Sequence, residues 1–156
     1  MNRRKPLGKM KLACAVTLAL GAALFLGVAP RVVAQEEGLG APGFWVDLAY
    51  IWIVGALCFA ALWEAWKICG EIGRDNSFSR QNVRSLRRIS KEMAAACALM
   101  AAGFALCLLT GLHSALVLGL VVLGVCISLI FSLFAAALAE LIQAGAELKD
   151  ENDLTI

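Results

Sequence analysis

Four apolar segments constrain this chain more than any other feature of its sequence. They cover residues 12–29, 44–69, 94–112 and 115–139. A helix needs about 20 mostly apolar residues to cross a hydrocarbon core that is roughly 30 Å thick. Because 61% of the residues are hydrophobic, little of the chain is left for a separate soluble domain. We therefore predict an all-α fold, a four-helix transmembrane bundle that forms a single membrane domain over residues 1–156.

The first apolar segment has two interpretations. Basic residues precede it, and the sequence Val-Val-Ala at 32–34 resembles the small-residue site at which a secretory signal peptide is cleaved. The 18 residues of the segment exceed the roughly 7–15 of a signal-peptide core, and Pro30 and Arg31 intervene before that site. These features favour a retained first span, followed by a loop over residues 31–43.

A polar, basic stretch at residues 79–93 predicts a separate amphipathic helix between the second and third spans. Ser79 is expected to cap it, since a serine hydroxyl accepts a hydrogen bond from a free N–H of the first turn. Phe78 and Val83 have the spacing of a hydrophobic staple. The apolar stripe consists of Val83, Leu86, Ile89 and Met93. The basic residues are Arg80, Arg84, Arg87, Arg88 and Lys91.

Two roles suit these five basic residues. They can hold the phosphates of an anionic leaflet and set the topology of the chain. They can also form the docking site of an acidic or regulatory partner. The two roles are compatible, and both place the candidate binding site on the same side chains.

The distribution of basic residues predicts the orientation. Of the 14 Lys and Arg residues, five precede the first apolar segment, seven lie between Lys67 and Lys91, and Lys149 is in the tail. With four spans, Arg31 alone falls on the opposite side. By the positive-inside rule, both termini, the basic helix and an acidic tail at residues 140–156 face the cytoplasm.

Acidic residues on that same side predict contacts within the molecule. Glu64 and Lys67 are three residues apart near the end of the second segment, so an ion pair at the membrane boundary is expected of them. Glu140 and Glu147 continue the helical pattern of the fourth segment. We predict that the acidic extension and lipid phosphates clamp the basic helix between them, with Glu64, Glu140 and Glu147 as the candidates for charge contacts.

Small residues predict where the spans approach one another. Ala94, Ala98 and Ala102 recur every four residues in the third segment, and Gly119 and Gly124 lie in the fourth. Such positions let helix backbones pack closely by van der Waals contact.

No pattern typical of an enzyme is present. His113 has no companion ligand, and there is neither a nucleophile–base pair nor a glycine-rich phosphate loop. The cysteines are expected to pack as small apolar residues, with a metal or redox site as the lesser alternative. They are Cys14, Cys58, Cys69, Cys97, Cys107 and Cys126. We expect no catalytic residue, no cofactor and no metal.

Short motifs in the centre and at the end of the chain carry a family resemblance. They read Phe-Ser-Arg-Gln-Asn at 78–82, Leu-Arg-Arg-Ile at 86–89, Ala-Gly-Ala-Glu-Leu at 144–148 and Glu-Asn-Asp-Leu-Thr-Ile at 151–156. With four spans at matching spacing, the chain resembles, over nearly its whole length, the bacterial membrane family catalogued as domain of unknown function 2975. Gln81 departs from it, since an acidic residue is more usual there.

The resemblance implies a bacterial inner-membrane location and carries over no catalytic residue. Members of that family are often found beside small helix-turn-helix regulators. By analogy, this implies that the chain is the membrane partner of a small cytosolic DNA-binding protein and does not itself bind nucleic acid.

Three functions follow from these observations. The leading one is a regulatory interaction protein whose cytoplasmic face holds or releases a small soluble partner. The second is a homo-oligomeric transporter or channel component, in which polar groups would line a path. Those groups are Glu64, Asp47, Thr110 and Ser128. The third is a structural protein that senses anionic lipid through its basic helix.

Overall fold

The computed structural model describes residues 4–39, 41–72, 79–110 and 115–153. Within these residues the fold is all-α, as predicted. Its elements are α1 (Arg4–Ala22), a π-helical segment (Ala23–Val28), α2 (Ala29–Glu37), α3 (Pro42–Ile72), α4 (Arg80–Thr110) and α5 (Ala115–Asp153). Four stretches are long and apolar enough to cross a membrane: Gly8–Gln35, Gly43–Ile72, Arg80–Leu109 and Val117–Leu148.

The first stretch remains helical past Pro30, where the sequence predicted that a loop begins. Proline has no N–H and its ring crowds the carbonyl one turn earlier, and the helix widens into a π turn just before it. Ala29 donates to the Leu24 carbonyl there, and the Trp52 indole donates to the Phe25 carbonyl at 3.2 Å. The expected loop over 31–43 was therefore wrong as far as Glu37. The helix ends at Glu37, and the next residue, Gly38, has a φ of 85°, a conformation that favours glycine.

The separate basic helix is not supported. Residues 80–93 are the first part of α4, which runs without interruption from Arg80 to Thr110. Ser79 caps this helix as predicted, because its Oγ accepts a hydrogen bond from the Asn82 N–H at 3.2 Å. Val83 and Leu86 of the apolar stripe are buried, so the first part of this stripe packs against the rest of the protein. The staple predicted for Phe78 lies outside the described residues.

The long helices pack in antiparallel order along the chain. Val33, Phe44 and Leu48 form a small buried cluster between α2 and α3. Among the described residues, backbone approaches closer than 8 Å join α1 and α2 to α3, α3 to α4 and α4 to α5, and none joins α1 to α5. Alternating directions bring the first turns of α1 and α4 to the same end as the last turns of α3 and α5.

Close helix contacts occur at some of the predicted small residues and not at others. Gly124 lies against the end of the Met100 side chain, so it is a contact point between α4 and α5, whereas Gly119 has nothing within 4 Å of an added Cβ. Ala94, Ala98 and Ala102 are exposed, and the fully buried alanine of α4 is Ala96. At 100° per residue, Ala96 lies between the α4 faces that contact α3 and α5, and the exposed ladder is therefore not the packed face of this helix.

Candidate functional site

A buried carboxylate links α3 to α4 at the end of the molecule that carries the basic residues. Glu64 is 6% exposed. Its Oε1 accepts hydrogen bonds from Lys67 Nζ at 2.7 Å and Arg88 Nη1 at 3.3 Å, and its Oε2 accepts one from Ser85 Oγ at 2.7 Å. A buried charge is tolerated when it is paired and hydrogen-bonded in this way. The Glu64–Lys67 ion pair was predicted, and Arg88 and Ser85 extend it across the helix interface.

Sequence reasoning missed Ser85, which is itself buried. The sequence does contain an indication of this role, because Ser85 and Arg88 are three residues apart and therefore share one face of a helix. One turn further on, Glu92 belongs to the same neighbourhood. Its Oε2 is buried and has no hydrogen-bond partner within the described part of the chain. The α3–α4 contact therefore carries two acidic residues beside two basic ones.

A second polar connection joins α4 to α5. Arg87 Nη2 donates to Gln143 Oε1 at 2.6 Å, and Gln143 Nε2 donates to Glu147 Oε1 at 2.9 Å. The charge contact predicted between the basic residues and Glu147 is not direct: Arg87 binds the neutral amide of Gln143, and that amide binds Glu147. Glu140 is exposed, and the described residues place no basic side chain of α4 against it.

Beside this connection lies a groove of about 340 Å³ between α4 and α5. Its walls combine two arginines with a glutamate and an amide, and its apolar part consists of a valine and an alanine that are both 7% exposed. The lining residues are Arg80, Val83, Arg84, Gln143, Ala146 and Glu147. Such a groove can hold a small polar group or the side chain of a bound segment.

All five predicted basic residues are exposed, so their charged groups remain on the surface. Arg87 and Arg88 are fixed by the contacts to Gln143 and Glu64. Arg84 and Lys91 have no hydrogen-bonded or ionic partner among the side chains that the structure describes. We call the surface formed by Arg80, Arg84, Arg87, Arg88 and Lys91, together with Gln143 and Glu147, the basic end.

The polar groups that a transport path would need are not brought together. Ser128 donates to the Val125 carbonyl of its own helix at 3.0 Å. Asp47 lines a small, mostly apolar cavity of about 100 Å³ near the opposite end of α3. At 1.5 Å per residue, Asp47 and Glu64 are separated by about 25 Å along that helix. The side chain of Thr110 lies outside the described residues.

Four long apolar helices with a basic face at one end define a multi-pass helical membrane protein. The chain belongs to the family described as "Protein of unknown function (DUF2975)", whose model matches residues 31–156. The matched region contains α3, α4 and α5, and so the whole of the basic end.

A curated relative has the same general character. The chain is 28% identical over 111 residues to "Uncharacterized membrane protein YoaS" of Bacillus subtilis (strain 168), an alignment that covers 69% of this chain and 68% of the relative. No solved structure gives a significant match. These comparisons identify a membrane protein family and assign it no activity.

Proposed function

We propose that this protein is a non-enzymatic interaction protein of the bacterial inner membrane. Both termini and the basic end face the cytoplasm, and the basic end binds a small soluble protein through an acidic segment of that partner. A small helix-turn-helix regulator is the kind of partner that we expect. The chain itself does not contact nucleic acid.

The orientation is supported by charge. Thirteen of the 14 Lys and Arg residues belong to the N-terminus, the stretch from Lys67 to Lys91 or the tail. Antiparallel packing brings the first turns of α1 and α4 and the last turns of α3 and α5 to the same end of the molecule. Positively charged residues concentrate on the cytoplasmic side of membrane proteins, and the basic end therefore belongs there.

The observation that carries the proposal is the difference between two pairs of basic residues. Arg87 and Arg88 are held by Gln143 and Glu64, so this part of α4 is fixed against both neighbouring helices. Arg84 and Lys91 lie exposed on the same part of α4 and are unpaired within the described side chains. Because the backbone that carries these two cations is already fixed, an acidic partner would have to order only their side chains.

Affinity purification from native membranes tests the proposal. The chain would be tagged at its C-terminus through a linker and solubilised in mild detergent, and co-purifying proteins would be identified by mass spectrometry. The informative variant is Arg84→Ala with Lys91→Ala, because neither side chain supports the fold. We expect the native chain to recover a small cytosolic protein with an acidic surface, and the double variant to lose most of it.

The matched control is Lys9→Ala with Lys11→Ala on α1. This variant removes the same charge from the same end of the molecule but leaves α4 unchanged, so it should retain the partner. Loss of the partner in both double variants would mean that total charge, and not the basic end, causes the capture. Recovery of no soluble protein by the native chain would remove the interaction proposal.

Anionic lipid is the second candidate ligand. Lys91 precedes the uninterrupted apolar part of α4, which begins at Ala94, by three residues, and Arg84 lies about two turns before Lys91, so both cations are near the depth of the headgroup phosphates. If lipid is the ligand, phosphatidylglycerol should raise the melting temperature of the native chain in nanodiscs more than that of the Arg84→Ala, Lys91→Ala variant, and no protein should co-purify. We place the transporter function third, since Asp47 and Glu64 are far apart.

A further inference from the structure

We propose that Cys14 and Cys69 are a reversible disulfide site that fastens α1 to α3. Their Sγ atoms are 3.8 Å apart and share a hydrogen bond, although the two residues are 55 positions apart in the sequence. Both are free thiols. A disulfide has an S–S bond of about 2.05 Å, so the sulfur atoms must approach by roughly 1.8 Å. Closing this gap requires rotation about the two Cα–Cβ bonds.

The position of the pair allows a soluble reagent to reach it. Cys14 follows Lys11 by three residues and Cys69 follows Lys67 by two, which places both sulfurs within about 5 Å, along the helices, of charged groups at the membrane boundary. Cys14 is half-buried, whereas Cys69 is 6% exposed. Cys14 is therefore the thiol that meets an oxidant first, and Cys69 is the thiol that completes the bond.

The oxidant class is a low-molecular-weight disulfide, RSSR. The Cys14 thiolate attacks one sulfur of RSSR, which forms a mixed disulfide and releases one RS⁻. The Cys69 thiolate then attacks the Cys14 sulfur, which forms the Cys14–Cys69 bond and releases the second RS⁻. Two protein thiols and one RSSR thus give one protein disulfide and two RSH. Excess RSH reverses both steps.

The bond would change how α1 is held. In the reduced protein, α1 and the π segment meet α3 through few contacts, such as the Phe25–Phe59 ring pair at 6.0 Å between centroids. The family match begins at residue 31, so α1 lies outside the matched region and the bond would tie it to that region. Disulfides in cytosolic surroundings are usually transient and sense redox conditions. If the basic end faces the cytoplasm as proposed, the pair is therefore a redox-sensitive link between α1 and α3.

Thiol counting and peptide mapping test this site. The purified full chain would be equilibrated in mixtures of reduced glutathione and glutathione disulfide, trapped with N-ethylmaleimide and weighed intact. We expect the chain to lose two of its six thiols together as the mixture becomes more oxidising. A non-reducing tryptic digest should then contain peptide 12–31 joined to peptide 68–74, each of which carries one cysteine.

Two variants complete the test. Cys14→Ser should abolish the paired loss, and Cys126→Ser, which removes an exposed thiol on α5, should keep it. The proposal is overturned if the native chain retains all its thiols at the oxidising limit. It is also overturned if Cys14→Ser still loses two thiols, or if the linked peptides contain other cysteines. These outcomes do not depend on whether a cytoplasmic partner exists.

Discussion

The Ser85 hydroxyl of α4 donates a 2.7 Å hydrogen bond to the Glu64 carboxylate of α3, and both side chains are buried. This contact joins the basic part of the chain to the second span. It also fixes the carboxylate so that its other oxygen accepts from Lys67 and Arg88. The basic end is thus part of the folded helix assembly, and its stability can be measured by substitution.

Glu64→Gln should destabilise the protein. The amide cannot neutralise Lys67 and Arg88, and an NH₂ group would face donors that now meet an oxygen. We expect a loss of roughly 1–3 kcal/mol of unfolding free energy, seen as a lower melting temperature in detergent. Ser85→Ala should cost less, about 1 kcal/mol.

Glu140→Gln is the matched control for this pair, since Glu140 is exposed on α5. Its effect should stay within about 0.5 kcal/mol. Equal melting temperatures for Glu64→Gln and Glu140→Gln would show that the buried carboxylate contributes nothing to the α3–α4 contact.

Gly103→Ala should destabilise the protein through one specific collision. A Cβ at this position would meet the Tyr50 hydroxyl, which is held by a 2.7 Å hydrogen bond to the Leu99 carbonyl. Overpacking of this kind typically costs about 1–3 kcal/mol. Thermal unfolding in detergent measures the loss, and Tyr50→Phe should rescue only part of it, because the hydroxyl is then gone but the ring carbon Cζ remains 2.6 Å from the added Cβ.

Gly119→Ala is the control for the collision, since nothing lies within 4 Å of its Cβ position. Alanine is the better helix former, so this variant should unfold at the same or a higher temperature. If Gly119→Ala and Gly103→Ala lower the melting temperature equally, the α3–α4 packing described here is incorrect.

Ser79→Ala should loosen the first turn of α4. The substitution removes the acceptor for the Asn82 N–H, and loss of a serine cap typically costs about 1 kcal/mol. Amide hydrogen exchange at residues 80–83 should become faster. Ser79→Asp keeps an acceptor at the same place and should preserve the slow exchange; equally fast exchange in both variants would contradict the capping role.

Reporter fusions should establish the orientation. A reporter that is active only in the cytoplasm should work after residue 156, and a reporter that is active only outside should work between residues 111 and 114. This outcome follows from the excess of Lys and Arg at the basic end. The reverse pattern would place the basic end outside and would exclude a cytosolic partner.

The sequence predicted some parts of this structure better than others, for physical reasons. Segment length and hydropathy predict four spans, because a helix must be long and apolar to cross a bilayer. Ser79 and Lys67 bind residues three positions away in the sequence, so local spacing is enough to predict their contacts. Ser85 and Gln143 act between helices, and their partners depend on how the helices rotate against each other. The prediction of close packing at Ala94, Ala98 and Ala102 was wrong for the same reason. Regular spacing shows that residues share a face, but it does not show which face meets a neighbouring helix.

Because α4 is continuous, the basic end belongs to the same helix as the residues near the opposite end of this candidate span. Its 31 residues form one helix about 46 Å long, with the basic end on its first turns and the Tyr50–Gly103 contact two turns before its last residue. The helix has no break between Arg80 and Thr110. A tilt of its first turns therefore tilts its last turns as well. A displacement of the first turns of α4 is therefore expected to move the Tyr50–Gly103 contact as well.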